Sequence, residues 1–124
     1  GINDKKQLSQ AERFYQVRQA EDFMSSGLTI MDPSRFDCRG GLTFGNDCTI
    51  DVNVVFEGDN VLGNNVLISP NCIIKDSKIG DNTSIFPNSI IENSIMKCMV
   101  TQIRNSQQFI YMENQYFLGS AFAW

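Results

Sequence analysis

The chain has no histidine in its 124 residues. That absence excludes a Ser-His-Asp triad, a Cys-His pair, a histidine zinc ligand and a phosphohistidine intermediate, so any catalysis has to rest on carboxylates, lysines or cysteines. Basic residues are also few, 10 Lys plus Arg against 14 Asp plus Glu. A net charge of −4 leaves no cationic footprint for phosphates, and nucleic acid is not expected as a partner. No apolar run approaches the roughly 20 residues that cross a bilayer. The opening Gly1-Ile2-Asn3-Asp4-Lys5-Lys6 lacks the apolar stretch of a signal peptide. These features predict a soluble, cytoplasmic chain with no membrane span. Cys38, Cys48, Cys72 and Cys98 include no Cys-x-x-Cys pair, which points away from zinc or redox work and towards free buried thiols.

Charge and aromatic content divide what is present. Residues 1–40 carry six acids and six bases, residues 41–95 seven acids and two bases, and residues 96–124 one acid and two bases. Six of the thirteen aromatics fall in the last sixteen residues. The first segment, 1–27, reads as a linker helix. Asn3 or Asp4 can cap it, no Gly or Pro interrupts it before Gly27, and that glycine sits where a C-terminal cap belongs. Leu8, Ala11, Phe14, Val17, Ala20 and Phe23 recur every third position, so at about 100° per residue the apolar stripe winds around the rod. Leu8, Ala11, Phe14 and Tyr15 share one side of the first half, opposite Lys5, Lys6, Glu12 and Arg13. Val17, Ala20, Phe23 and Met24 lie on the reverse side. Such a helix touches different neighbours along its length, as an arm between two bodies would. Residues 28–43 read as a connection, with a short strand at Leu28-Thr29-Ile30-Met31 and a turn at Asp32-Pro33-Ser34.

Residues 44–95 hold the strongest pattern. Phe44, Ile50, Phe56, Leu62, Ile68 and Ile74 follow in steps of six; after one step of five come Ile79, Ile85 and Ile91. Four residues after an anchor stands a small or β-branched one, at Cys48, Val54, Val66, Cys72, Thr83 and Ser89. A hexapeptide repeat of this form predicts a left-handed parallel β-helix of triangular section. Each hexad makes one side, the anchor points inward, and the small residue fits where the interior narrows. The count gives just under three coils, with Phe44, Ile50, Leu62, Ile68, Ile79 and Ile85 inside. Nine asparagines in this stretch supply the left-handed backbone that corners need. No calcium-loop spacing of acids accompanies them. Cys48 and Cys72 occupy the interior slot and read as core thiols. A solenoid this short needs capping or lateral burial.

Several of these residues carry a resemblance. Gly1-Ile2-Asn3-Asp4 with the helix behind it, Asp32-Pro33-Ser34-Arg35-Phe36-Asp37, Arg39-Gly40, Ile50-Asp51-Val52-Asn53-Val54 and Glu57-Gly58 resemble the middle of a bacterial enzyme family. That family is the bifunctional N-acetylglucosamine-1-phosphate uridyltransferases/glucosamine-1-phosphate acetyltransferases. The resemblance covers residues 1–95 and implies a linker helix leading into a β-helix that trimerises, in a pathway making UDP-N-acetylglucosamine for cell-wall precursors. It implies no complete active site. Asn3 matches the family's magnesium-binding asparagine, but the partner aspartate is not in this chain, and one ligand does not satisfy the near-octahedral demand of Mg²⁺. The family's acetyltransferase pocket belongs to later coils and uses a histidine. No cofactor and no complete small-molecule site are expected for the chain alone, and Asp51, Glu57 and Asp76 read as solvated coil acids.

Residues 96–124 depart from that pattern. Met96 to Gln108 reads as a helix, with Ile95, Met99 and Ile103 on one stripe, and Phe109-Ile110-Tyr111-Met112 as a strand. Residues 96–124, most distinctively from Phe109 through Glu113-Asn114-Gln115-Tyr116-Phe117 to Ser120, resemble a segment of plant-type phospholipase D lying between its two His-x-Lys motifs. Neither motif occurs here, so Glu113 reads as a strand residue and phosphodiester chemistry is not implied. Three readings follow from different classes. The chain is a non-catalytic, self-associating scaffold piece of the sugar-nucleotide enzyme, a piece of a lipid-acting enzyme, or a chimeric polypeptide without a biological function.

Overall fold

The computed structural model describes residues 4–97. The expected helix and strand beyond Met96, and Asn3 at the other end, lie outside the described residues, apart from Met96 and Lys97 themselves.

Helix α1 runs Lys5–Ser25. Asp4 caps it, its carboxylate accepting from the Gln7 amide at 2.8 Å. The helix stops where Gly27 takes φ 107°, with Gly27 N–H donating to Met24 O and Leu28 N–H to Phe23 O. The chain then winds into a parallel β-helix. One face stacks β1 (Thr29–Ile30), β3 (Thr49–Ile50), β5 (Leu67–Ile68) and β8 (Ser84–Ile85). Strands β2 (Phe36–Phe44) and β4 (Val54–Leu62) each span the other two faces. Below β4 lie β6 (Ile73–Lys75) and β9 (Ile90–Glu92) on the second face, and β7 (Lys78–Ile79) and β10 (Ile95–Met96) on the third. Among the described residues every pairing is parallel, and each face is four strands deep.

Inside the triangle, Ile30, Ile50, Ile68 and Ile85 form one column, and Cys38, Phe56, Ile74 and Ile91 a second. Phe44, Leu62, Ile79 and Met96 form the third. All but Phe44 are buried. Phe44 is half-buried at the upper end, its ring edge-on to Phe23 of α1 at 5.8 Å. The small slots hold as expected, since Cys48, Val54, Val66, Cys72, Thr83 and Ser89 are all buried. The corner assignment holds for six of the nine asparagines and not for Asn46, Asn60 and Asn64. Asn53, Asn65, Asn71, Asn82, Asn88 and Asn93 take φ between 51° and 64°. Two pairs of them stack through their amides, Asn53 on Asn71 and Asn65 on Asn82, each at 2.9 Å.

The coils exceed the expected number at both ends. Residues 28–43, read as a connection, are the first coil. They escaped the hexad count because Pro33–Arg35 inserts a 3₁₀ turn at a corner, so Ile30 stands 20 residues before its partner Ile50, whereas Cys38 stands 18 before Phe56. The slots are also inverted there, with Phe36 in the small position and Cys38 in the anchor position. The Phe36 ring leans over Phe56 at 6.0 Å and restores the volume. At the other end the expected boundary at 95 moves, because Met96 is an anchor buried in the fourth coil rather than the first residue of a helix. The five-residue step from Ile74 to Ile79 recurs from Ile91 to Met96. It reflects a corner shortened by one residue, since Glu57 pairs with Lys75 at a spacing of 18 but Val61 with Lys78 at 17.

The second half of α1 covers the upper end of the solenoid. Ala20 is buried, Phe23 and Met24 pack on the core, and Phe23 meets Phe36 edge-on at 6.0 Å. Leu8, Phe14 and Tyr15 stay more than half exposed on the other side of the helix. The winding stripe thus resolves into one half that docks and one that does not.

Candidate functional site

The densest polar constellation lies where α1 crosses β2. Gln16 is 1% exposed, and its amide is bonded at both ends to one residue. Its Oε1 accepts from Cys38 N–H at 2.9 Å and its Nε2 donates to Cys38 O at 3.3 Å. Gln19 Nε2 also donates to Cys38 O, at 2.9 Å. Arg13 donates to Phe36 O at 3.0 Å and forms an ion pair with Asp37 at 2.8 Å. Arg39 continues the network to Asp37 at 3.5 Å and to Glu57 at 3.0 Å. The register then carries Glu57 onto Lys75 and Lys75 onto Glu92, so charge alternates down this edge of the second face. None of these three helix residues stood out in the sequence. A polar docking face hides from any search for an apolar stripe, and a buried glutamine has no periodic signature.

The carboxylates read as coil acids are spoken for and apart. Glu57 holds Arg39, Asp51 Oδ1 accepts from Val52 N–H at 2.8 Å, and Asp76 Oδ1 accepts from Asp59 N–H at 3.0 Å. Asp76 sits at a corner under Gly58, whose φ is 72°; a Cβ on Gly58 would collide with the Asp76 carboxylate. Among the described residues no group of three His, Cys, Asp or Glu is placed to hold a metal ion. Asn3, which the resemblance matches to a magnesium ligand, lies outside the described residues. Asp32 serves the 3₁₀ turn instead. Its bonds from the Ser34 hydroxyl, Arg35 Nε and the Ser34 amide hold its carboxyl down at about 2.

Cys38, Cys48 and Cys72 are free and buried. Burial pushes the Cys38 thiol up to about 11 from 9.0 and raises Cys72 as well, so neither forms the thiolate that attacks an electrophile. Two consequences can be measured. A maleimide at pH 8 should leave these three cysteines unlabelled in the native chain and label all three in urea, as read by peptide mass mapping. Because the folded pKa of Cys38 lies above its unfolded value, its contribution to stability is complete below pH 9 and is lost as pH rises towards 11. Native labelling of Cys38 at the rate of a free thiol would contradict both.

Among the described residues no helix is long and apolar enough to cross a membrane.

Comparison with known proteins assigns two likenesses to the one chain. A family model described as Phospholipase D (PLDc) matches residues 68–124. The chain is 59% identical over 78 residues to the bifunctional protein GlmU of Ruthia magnifica subsp. Calyptogena magnifica, which is 63% of this chain and 17% of that protein. It is 56% identical over 75 residues to GlmU of Idiomarina loihiensis, covering 60% of the chain and 16% of the relative. It is 51% identical over 78 residues to GlmU of Neisseria meningitidis serogroup B, covering 63% and 17%. The chain thus spans 16 or 17% of the length of the curated relatives it matches. The matched part of the chain is thus similar to a stretch of the GlmU proteins, and residues 68–124 are similar to Phospholipase D.

Proposed function

We propose that this chain is a scaffold piece of a UDP-N-acetylglucosamine-forming enzyme. It comprises the linker helix and opening coils of a β-helix, non-catalytic on its own, cytoplasmic and self-associating. The observation that carries the reading is the identity of 51–59% to GlmU proteins, combined with what the polar side chains do. Arg13, Gln16, Gln19, Asn60 and Asp76 each place at least one hydrogen bond on the backbone of another residue, which is the work of a scaffold. Self-association is favoured by an outward column on the second face, where Val55, Ile73 and Ile90 stack in register. Ile73 is 39% and Ile90 47% exposed. Burial of such a column between copies, with the trimer that the family likeness suggests, would extend the sidewise packing a short solenoid needs. Light scattering should therefore give three times the 14.0 kDa chain mass, and uridyltransferase and acetyltransferase assays should give no turnover. A monomer at 100 µM, or turnover in a preparation freed of host enzymes, would refute the reading.

A second reading is favoured by the Phospholipase D match. Its range begins at residue 68, inside the third coil, and runs through the fourth. On this reading the chain is a fusion of two unrelated segments, or a phospholipase D piece grafted on a β-helix. Sequencing the source DNA across the codons for residues 94–98 distinguishes the two origins. One uninterrupted natural reading frame there is the outcome that removes the fusion.

A further inference from the structure

We propose that α1 is an edge guard: Arg13, Gln16 and Gln19 occupy backbone groups of β2 that would otherwise accept another parallel strand, and the strand kept out belongs to a second copy of this chain. Among the described residues, strand β2 is the uppermost on its face and pairs with β4 along one side only, over nine residues. On its other side, where a preceding coil would lie, the bonds at Phe36 and Cys38 come from the helix. A carboxamide carries one donor side and one acceptor in a plane, as a peptide group does. Gln16 uses both on Cys38, and so takes the place of the peptide that a neighbouring strand would present. Arg13 and Gln19 fill the carbonyls of Phe36 and Cys38. Two and three coils down, the equivalent carbonyls are bonded strand to strand, Cys72 O by Val55 N–H at 2.9 Å and Ser89 O by Ile73 N–H at 2.9 Å.

An uncovered strand edge is a template for another chain. The match for this one is already in the molecule, since β4, β6 and β9 stack beneath β2 on the same face in parallel register. A second copy entering from above would continue that stack head to tail. Such a contact is heterologous and does not close, so it yields open-ended assemblies rather than a fixed oligomer. Sidewise association through Val55, Ile73 and Ile90 gives a discrete mass, and the two forms of association are therefore distinguishable.

The test compares the full chain with R13A/Q16A/Q19A and with Gln16→Met, which keeps length and packing but removes the amide. Hydrogen exchange should accelerate at least tenfold at the Cys38 amide in Gln16→Met, while the amides of Ile50, Ile68 and Ile74 keep their protection. The triple variant should form assemblies whose mean mass rises continuously with concentration, beyond the discrete mass of the parent. Three results overturn the proposal. One is a Cys38 amide as protected in Gln16→Met as in the parent; another is a triple variant with the parent's mass distribution. The last is loss of protection at Ile50, Ile68 and Ile74 in both variants, which would make the helix a requirement of the whole fold.

Discussion

Replacing Ile68 with Asp should abolish cooperative unfolding of the β-helix at 25 °C and leave a chain without the parent's β-sheet circular dichroism. Ile68 is fully buried on β5, between Ile50 above and Ile85 below. Loss of the side chain forfeits roughly 1.5–3 kcal/mol of apolar burial. The introduced carboxylate adds several kcal/mol more, because nothing in the column of isoleucines can pair with it. Against the 5–15 kcal/mol that ordinarily separates folded from unfolded states, the sum removes most or all of the margin in a domain this small. Leu67→Asp is the control. Leu67 lies on the outward side of β5, away from the Val55, Ile73 and Ile90 column, and is 38% exposed, so the same change there should alter stability by about 0.5 kcal/mol or less. Urea titrations of both variants decide the matter, and an Ile68→Asp midpoint equal to the parent's would mean the column is not the core.

Why the middle of the fold was legible and its ends were not is a matter of repetition. A coil that obeys the six-residue step announces itself, and Ile50 to Ile85 could be placed inside the triangle from spacing alone. The first coil contains a 3₁₀ turn that slips the phase by two and a pair, Phe36 and Cys38, that swaps large for small. No periodic template reads through such a change, although the compensation between Phe36 and Phe56 is plain in three dimensions. Met96 was hidden for another reason. Its neighbours Met99 and Val100 also fit a helical period, and a single five-residue step is too weak a signal to compete with that. The constellation of Arg13, Gln16 and Gln19 is illegible because most of its partners are backbone atoms 19–23 residues away, and backbone groups leave no mark in a sequence. The interior amide of Asn60 was missed alongside the corner asparagines, since the residue type gives no sign of which way the side chain turns.

Asn60 is where the second large effect is expected. It is 2% exposed and stands in a small slot, in register with Leu42 above. Its Oδ1 accepts from Ser77 N–H at 2.9 Å, while its Nδ2 donates to Glu57 O at 2.9 Å and reaches Ile74 O at 3.5 Å. These bonds bridge the corner that shortens from three residues to two between Glu57–Val61 and Lys75–Lys78, where Glu57 O also accepts from Asp76 N–H at 3.1 Å. Asn60→Asp is nearly isosteric and keeps the acceptor. It replaces the donor with an oxygen that faces two carbonyl oxygens in a site closed to water. Loss of about 3–5 kcal/mol at pH 7 follows, the cost of a buried charge without a partner. The effect carries a pH signature. Burial and the facing carbonyls raise the pKa of the introduced carboxyl above its unfolded value, and its protonated form regains a donor towards Glu57 O. Relative to the parent, the variant should therefore recover at least half of its deficit as pH falls from 7 to 4, and lose it again as pH rises. Urea unfolding of parent and variant at both pH values reads the difference. A deficit that does not change with pH would place the new carboxylate in solvent and show that Asn60 does not hold the short corner.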